Sequence, residues 1–575
     1  MKALLTGNEA VARGAYEFGV SVATAYPGTP STEILENMAQ YREIRSQWSP
    51  NEKVAMEVAI GASVAGARAL AAMKHVGVNV AADPLFTASY AGVNGGFLLV
   101  SADDPGMHSS QNEQDNRYYA KFAKVPMLEP ADSQEAKDFV GVALAVSEQF
   151  DVPVMLRLTT RICHSKTLVE LLDPQAREVK PYKKDARKYV MMPGNARVKR
   201  VELEKRFVDL RAYSESSPLN VIEWQDREVG FITSGISYQY VKEAVPRASV
   251  LKIGFSWPLP DAKIREFAKG VKKLYVVEET EPYIEEHVQT MGIPVTGKSL
   301  FPITGEMSVA IIRRALGLSV TGPSHPAEDT PLRPPVLCPG CPHRGVFYAL
   351  NQLRLNVTGD IGCYTLGALP PLNAMDTTIC MGASIPMALG FEKANPELAE
   401  KTVAVIGDST FLHSGVTGLM DVVYNHGTST VLILDNDITA MTGHQDNPST
   451  GKTLDRQPAP RVDIPALCKA VGVQRVFTVD PFDMAALREL IKQEVAVREP
   501  SVIIAKRPCA LIIKHDGTIY RIDHEKCVGC KMCMRVGCPA ISHANKKSTI
   551  NAALCVGCGV CAQVCKFGAI LKEEQ

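Results

Sequence analysis

Eight of the fifteen cysteines in this 575-residue chain fall between positions 527 and 565, in two runs too tight for ordinary core packing. The first run is Cys527, Cys530 and Cys533, followed after four residues by Cys538-Pro539; the second is Cys555, Cys558 and Cys561, followed after three by Cys565. Three thiolates spaced two residues apart wrap one corner of an iron–sulfur cube, because so short a loop turns its side chains inward while its N–H groups face the sulfides. In bacterial-type two-cluster modules the fourth cysteine of each run ligates the other cluster. The spacing therefore pairs Cys527, Cys530, Cys533 and Cys565 on one [4Fe-4S] cluster, and Cys538, Cys555, Cys558 and Cys561 on the second. Zinc is the competing occupant, but zinc knuckles set two cysteine pairs on either side of a longer loop, not three cysteines in seven residues. The four-residue gap before Cys538, and Lys566 where proline is usual after Cys565, bend the loops without removing a ligand. The tail is expected to carry electrons.

So many thiols in a chain whose residues 1–25 show no cleavable leader point to ligation in a reducing, oxygen-poor cytoplasm and not to disulfides. No apolar run approaches the length of a membrane span. The formal charge is zero, which argues against nucleic acid or a membrane surface as a general partner.

At about 150 residues per domain, the length predicts roughly four domains. Two compositional breaks mark edges. One, at 177–220, holds Lys180, Lys183, Lys184, Arg187, Lys188 and the charged run 200–206. The other, at 322–335, holds Pro323, Pro326, Pro331, Pro334 and Pro335 and reads as an extended tether. Between them, 229–233, 249–253 and 274–277 read as parallel strands separated by helices. The same alternation fills 1–176 and 336–515, so the expectation is three α/β domains (1–176, 221–321 and 336–515) followed by a small cluster domain at 516–575.

Residues 402–406 form a fully apolar strand ending in Gly407-Asp408-Ser409. The following segment reads as a helix with Val416, Leu419, Met420 and Val423 on its inner face and Gly427 as its C-cap. A second apolar strand, 431–434, delivers Asp435-Asn436 to the same sheet edge, where α/β folds bind ligands. A hard magnesium ion takes oxygen ligands in octahedral geometry and shares them with phosphates. The Asp408 carboxylate, the Asn436 amide oxygen and the Ile438 carbonyl would supply the protein half of such a site. Gly-Asp-Ser alone is weak, since any strand-to-helix turn can hold those residues; Asn436 at matching depth gives the signal its weight.

Here the sequence resembles thiamine diphosphate enzymes, and 441–445, with Thr442, is similar to their loop running on beneath the cofactor. The resemblance implies a glutamate on a separate pyrimidine-binding domain that hydrogen-bonds the aminopyrimidine. Residues 51–68 read as a small-residue helix carrying two such acids, Glu52 and Glu57. Glu52 is preferred for its spacing to Gly61-Ala62-Ser63, and Glu57 is the alternative.

Residues 26–31, Tyr-Pro-Gly-Thr-Pro-Ser, resemble a signature of the 2-oxoacid:ferredoxin oxidoreductases, and Cys338-Pro339-Gly340-Cys341-Pro342-His343 resembles the opening of that family's diphosphate domain. The resemblance covers nearly the whole chain, and the four-residue gap before Cys538 is similar to the alpha subunits of the indolepyruvate branch. It implies that 1–176 is the pyrimidine domain, 221–321 a transketolase C-terminal-like domain, 336–515 the diphosphate and magnesium domain, and 516–575 a two-cluster ferredoxin domain. It further implies oxidative decarboxylation of an arylpyruvate with coenzyme A, with electrons leaving through the clusters to ferredoxin. Thr29 would hold the substrate's carboxylate and carbonyl, and His343 would stand near the cofactor for orientation or proton transfer. Cys338, Cys341, Cys363 and Cys509 match a third cluster site, with buried inert thiols as the alternative. No segment remains for the family's coenzyme A-enclosing domain, which implies a separate beta subunit and an assembly of two copies of each chain. Cys163, Cys380 and Cys468 read as core residues. A non-oxidative thiamine decarboxylase, or an electron-relay subunit with a silent thiamine site, are the rival readings.

Overall fold

Apolar strands alternate with helices through both units into which the chain divides, Met1–Glu328 and Asp329–Gln575. The computed structural model describes residues 1–175, 178–320 and 334–573. The edge expected at 176/177 and most of the proline-rich tether 322–335 lie outside the described residues. Among those described, no helix is long and apolar enough to cross a membrane.

The first unit is built on a seven-stranded sheet. Its order is Phe255–Trp257, Met127–Leu128, Val154–Thr159, Phe97–Asp103, Ala69–Lys74, Val22–Ala25 and Arg45–Trp48. All neighbours are parallel except the first pair. Strands Ala69–Lys74, Phe97–Asp103 and Val154–Thr159 are apolar over most of their length because helices cover both faces. A second sheet runs Lys273–Val277, Asp226–Ser234, Ala248–Ile253, Asn220–Glu223, with the first three strands parallel. The three strands expected at 229–233, 249–253 and 274–277 are these three. Strand Ala248–Ile253 is followed almost at once by Phe255–Trp257, which pairs into the large sheet and stitches the two layers together.

The charged segment read as a break at 177–220 carries a 24-residue helix, Pro193–Ser216. Only Leu203, Phe207, Leu210 and Ser214 of it are buried, a stripe too narrow to stand out among its lysines and arginines. Phe207 packs against Trp257 at 5.3 Å between ring centroids, and Ser214 Oγ donates to the Pro258 carbonyl at 2.6 Å.

The second unit has a five-stranded, wholly parallel sheet in the order Asn356–Thr358, Thr402–Gly407, Thr430–Asp435, Ser501–Lys506, Arg475–Val479. The pleat divides its strands between two cores. Val403, Val405, Leu432 and Leu434 face one, and Ala404, Ile406, Val431 and Ile433 the other. The cysteine-rich tail adds two short antiparallel pairs, Ile519–Ile522 with Ile570–Glu573 and Ile541–Ala544 with Lys547–Ile550. Its small core of Val536, Ile541, Val560, Val564 and Ile570 closes over Met484, Tyr348 and Phe482 of the sheet domain.

Of the four residues expected on the inner face of the helix after Asp408, Val416 and Val423 pack half-buried on the core with Leu419, and only Met420 departs. Leu419 is buried, but Met420 is 47% exposed, and Gly415, Gly418 and Val422 complete the inner side. Its first turn, Phe411–Gly415, is π-helical, which shifts the phase. Cβ atoms on Gly415 and Gly418 would stand 2.7 Å from Ile406 and 2.9 Å from Pro386, so closeness, not bulk, selects the inner residues. At its end His426 takes the left-handed conformation, with φ of 55°, while Gly427 only donates its N–H back to Val422 at 2.8 Å. Cys163 and Cys468 are buried as expected. Cys380 is not: it is exposed, in the loop ahead of helix Ser384–Ala394 and outside both cores.

Candidate functional site

Strand Thr402–Gly407 is buried along its whole length, so chemistry is available only where it ends. Gly407 pairs with Leu434 of the neighbouring strand, and Asp408 and Asn436 therefore leave the sheet side by side. Asp408 is 2% exposed. With its amide oxygen inward, Asn436 stands 3.2 Å from Asp408 Oδ1 and 2.8 Å from the Ile438 carbonyl oxygen; turned over, its NH2 donates to the same two atoms. Oxygens bonded at right angles to one magnesium ion stand about 2.9 Å apart. The donor set fits that ion. Burial, aided by the nearby Asp435 charge, pushes the Asp408 carboxyl up to about 7, and a cation beside it acts in the opposite sense.

Hydroxyls and amides surround this cradle. Ser449 Oγ donates to Asp408 Oδ2 at 3.3 Å, Thr439 Oγ1 donates to Ser409 Oγ at 2.9 Å, and Asn447 Nδ2 donates to Thr439 Oγ1 at 3.2 Å. Thr442 donates instead to Gln445 Oε1 at 2.5 Å, within its own loop. Gly407 is needed where it is, since a Cβ there would lie 2.7 Å from the Tyr364 ring. That ring also meets His343 edge-on, at 6.0 Å between centroids. His343 opens helix His343–Leu353 and is buried, which pushes its imidazole down to about 4 and leaves it neutral at pH 7. Asp360 fastens the loop that bears Cys363, accepting N–H bonds from Ile361 and Gly382 at 2.9 Å and from Ser384 at 3.0 Å. Ser449 and Tyr364 were not singled out from the sequence: Ser449 lies in a turn and Tyr364 in the short 3-10 helix Cys363–Ala368, too short to leave a periodic signal.

In the first unit, Asn51 caps helix Glu52–Val64 through Val54 N–H at 2.9 Å. Glu52 is buried against the Gly77 backbone, where a Cβ would come within 2.8 Å of its Oε1. Glu57 is a surface group ion-paired with Lys53. Thr29 lies half-buried in the loop after strand Val22–Ala25, its carbonyl accepting from Ser109 Oγ at 3.3 Å. Lys74, a charge ending an otherwise apolar strand, went unnoticed although Asp408 shows the same signal. Burial lowers its ammonium, against the pull of Asp104 and Glu52, and its stem packs on Gly28.

The tail cysteines fall into two sets. Cys527, Cys530, Cys533 and Cys565 line one cavity, and Cys538, Cys555, Cys558 and Cys561 line another. Among the described residues no three histidines, cysteines or acids converge as a single ion requires. Backbone N–H groups aim at sulfur, Tyr520 at Cys555 and Ala569 at Cys565, both at 3.4 Å. Cys338, Cys341, Cys363 and Cys509 form a third neighbourhood: burial raises Cys341 to about 12 and Cys363 to about 11, and each feels the charge of others in the set.

Known families match three stretches of the chain. Residues 13–211 match the thiamine diphosphate-binding domain of pyruvate flavodoxin/ferredoxin oxidoreductases, 360–505 the C-terminal binding domain of thiamine pyrophosphate enzymes, and 548–571 a 4Fe-4S binding domain. A chain with all three is an oxidoreductase that works with thiamine diphosphate and [4Fe-4S] clusters, on the α/β architecture expected. Proteins called indolepyruvate oxidoreductase subunit IorA from Pyrococcus horikoshii, Archaeoglobus fulgidus and Methanothermobacter marburgensis are 42%, 41% and 39% identical to it, over 99% of this chain and 97% of each relative. The chain belongs to the indolepyruvate oxidoreductase subunit IorA family.

Proposed function

We propose that this chain is the alpha subunit of an enzyme that converts an arylpyruvate, indolepyruvate foremost, and coenzyme A to an aryl-acetyl-CoA and carbon dioxide, reducing two ferredoxins. The observation that carries this reading is the presence, in one unit, of a three-oxygen cradle at a sheet edge and of two four-cysteine cavities. Asp408, Asn436 and the Ile438 carbonyl would hold Mg2+, and Gly407, Ser409 and Thr442 would line the diphosphate. Thiamine diphosphate supplies a carbon nucleophile and an electron sink for decarboxylation. Glu52, buried where Glu57 is not, would hydrogen-bond the aminopyrimidine through its carboxyl group. His343, neutral and held by Tyr364, accepts or donates a hydrogen bond without adding charge. Thr29 would orient the substrate's carboxylate.

The two tail cavities would hold one cluster each, Cys527, Cys530, Cys533 and Cys565 on the first and Cys538, Cys555, Cys558 and Cys561 on the second, with a third on Cys338, Cys341, Cys363 and Cys509. One-electron centres suit a substrate that yields its two electrons singly. The relatives' names describe a subunit, and this chain is proposed to pair with a separate beta subunit in an α2β2 assembly. Anaerobic assays of chain plus partner with a panel of 2-oxoacids test the reading. Arylpyruvate- and coenzyme A-dependent ferredoxin reduction, with a thioester product, is the expected result. Aldehyde release without ferredoxin reduction would transfer the chain to the non-oxidative decarboxylases. Twelve irons per chain support the third cluster, and eight deny it.

A further inference from the structure

Arg344, the second residue of helix His343–Leu353, is 2% exposed. Its guanidinium is surrounded by backbone. Nε donates to the Cys338 carbonyl at 3.0 Å, one terminal nitrogen to Val536 at 3.2 Å and to Gly537, and the other to Leu337. Those carbonyls belong to two different loops, the one bearing Cys338 and Cys341 and the one leading into Cys538. Among the described residues no carboxylate pairs with it. A buried cation without a counter-ion is costly: burial lowers the Arg344 guanidinium, and the groups that oppose this are the sulfurs of Cys538, Cys341, Cys558 and Cys338, which carry negative charge once they are ligands. Arg344, buried, also lines the Cys538 cavity, whereas the cation lining the Cys527 cavity, Lys531, is exposed. The Cys338–Cys341 loop also presses on a third loop of the tail: a Cβ on Gly340 would stand 2.2 Å from Val556, between Cys555 and Cys558.

We propose that Arg344 is a positioning residue that sets the reduction potential of the cluster held by Cys538, Cys555, Cys558 and Cys561, by keeping a fixed positive charge between that cluster and the Cys338–Cys341 loop. The inference rests on the cluster reading above. A four-thiolate cluster is negative, and each added electron makes it more so. A permanent cation at its wall therefore stabilises the reduced form and raises the potential relative to a neutral neighbour. Were the Cys338 set to hold a cluster, an electron passing from it to the Cys538 set would oxidise the first and reduce the second across the joint that Arg344 fills. Arginine suits the position because its planar fork reaches four carbonyls while remaining charged at any working pH.

The test uses the full chain, purified anaerobically with its partner, in three forms: unsubstituted, Arg344→Gln and Arg344→Lys. Iron content and an EPR-monitored redox titration are read for each. Arg344→Gln is expected to retain iron and to lower that cluster's reduction equilibrium about tenfold, which is 59 mV for one electron. Arg344→Lys, which keeps the charge but not the fork, should stay within about threefold of the unsubstituted protein. Loss of iron in Arg344→Gln with iron and potential kept in Arg344→Lys also supports a charge requirement. Equal shifts in both variants, no shift in either, or iron loss in the lysine variant overturns it in favour of a purely mechanical pin. An iron-free unsubstituted protein overturns the cluster reading itself; iron present with an unmoved potential overturns this assignment alone.

Discussion

Both units gather polar side chains at the carboxyl edge of a parallel sheet, and they treat them in opposite ways. In the first unit Arg117 donates to Glu278 at 2.6 Å and to Asp115 at 2.5 Å, while Arg157 donates to Asp103 at 2.7 Å and Glu129 at 2.6 Å, all buried. Two arginines serve four carboxylates: they hold the Asp115 carboxyl well below its usual range against the cost of burial, whereas burial still raises Asp103 and Glu278. In the second unit, among the described residues, Asp408 has no ion-pair partner: the Asn436 NH2 donates to it at 3.2 Å, and burial pushes its carboxyl up to about 7. Carboxylates tied to buried arginines hold a fold together; a buried carboxylate without one, at a strand end, is where a cation would be accommodated.

Four substitutions break or sharpen this contrast. Asp408→Ala should abolish thiamine binding and all turnover while the visible absorbance of the clusters persists. Thiamine analysis beside a spectrum checks both, and retained activity would remove Asp408 from the metal site. Arg117→Leu should cost about 3–5 kcal/mol, because it strands Asp115 and Glu278 in the core. A thermal transition unmoved by it would show that the network is not scaffold. Glu279, buried beside the same network, has its carboxyl pushed up to about 7, chiefly by burial. The folded state thus holds a proton that the unfolded state releases near pH 4.5. This group's stability is full below that point and lost as pH rises through about 7. Glu279→Gln should flatten the fall in melting temperature between pH 5 and 8, an effect on the order of 2–3 kcal/mol. Glu57→Gln, at an exposed ion pair, should change stability by less than about 0.5 kcal/mol and leave turnover intact. Loss of turnover there would exchange the roles proposed for Glu52 and Glu57.

What could be read from the sequence was local. The apolar strands, the turn at Gly407-Asp408 and the cysteine spacing each depend on neighbours a few residues apart, so they leave a pattern. The inner face of the helix after Asp408 did so only in part, because glycines pack by proximity and a periodicity of large residues pointed to Met420. Helix Pro193–Ser216 was hidden by charge, since four buried residues in twenty-four suffice to dock it. Ser449 and Tyr364 reach the cradle from far along the chain, and only the folded backbone brings them there. The ion pair from Arg117 to Glu278 joins residues 161 positions apart, a separation no window along the sequence can span.

A terminal amide has two ends of nearly equal size and opposite hydrogen-bonding sense. At Asn436 only one end suits the folded chain: the NH2 donates to Asp408 Oδ1 at 3.2 Å and to the Ile438 carbonyl at 2.8 Å. One side chain thereby ties the end of one strand to the loop beyond its neighbour, and an aspartate in its place would face two acceptors with a third.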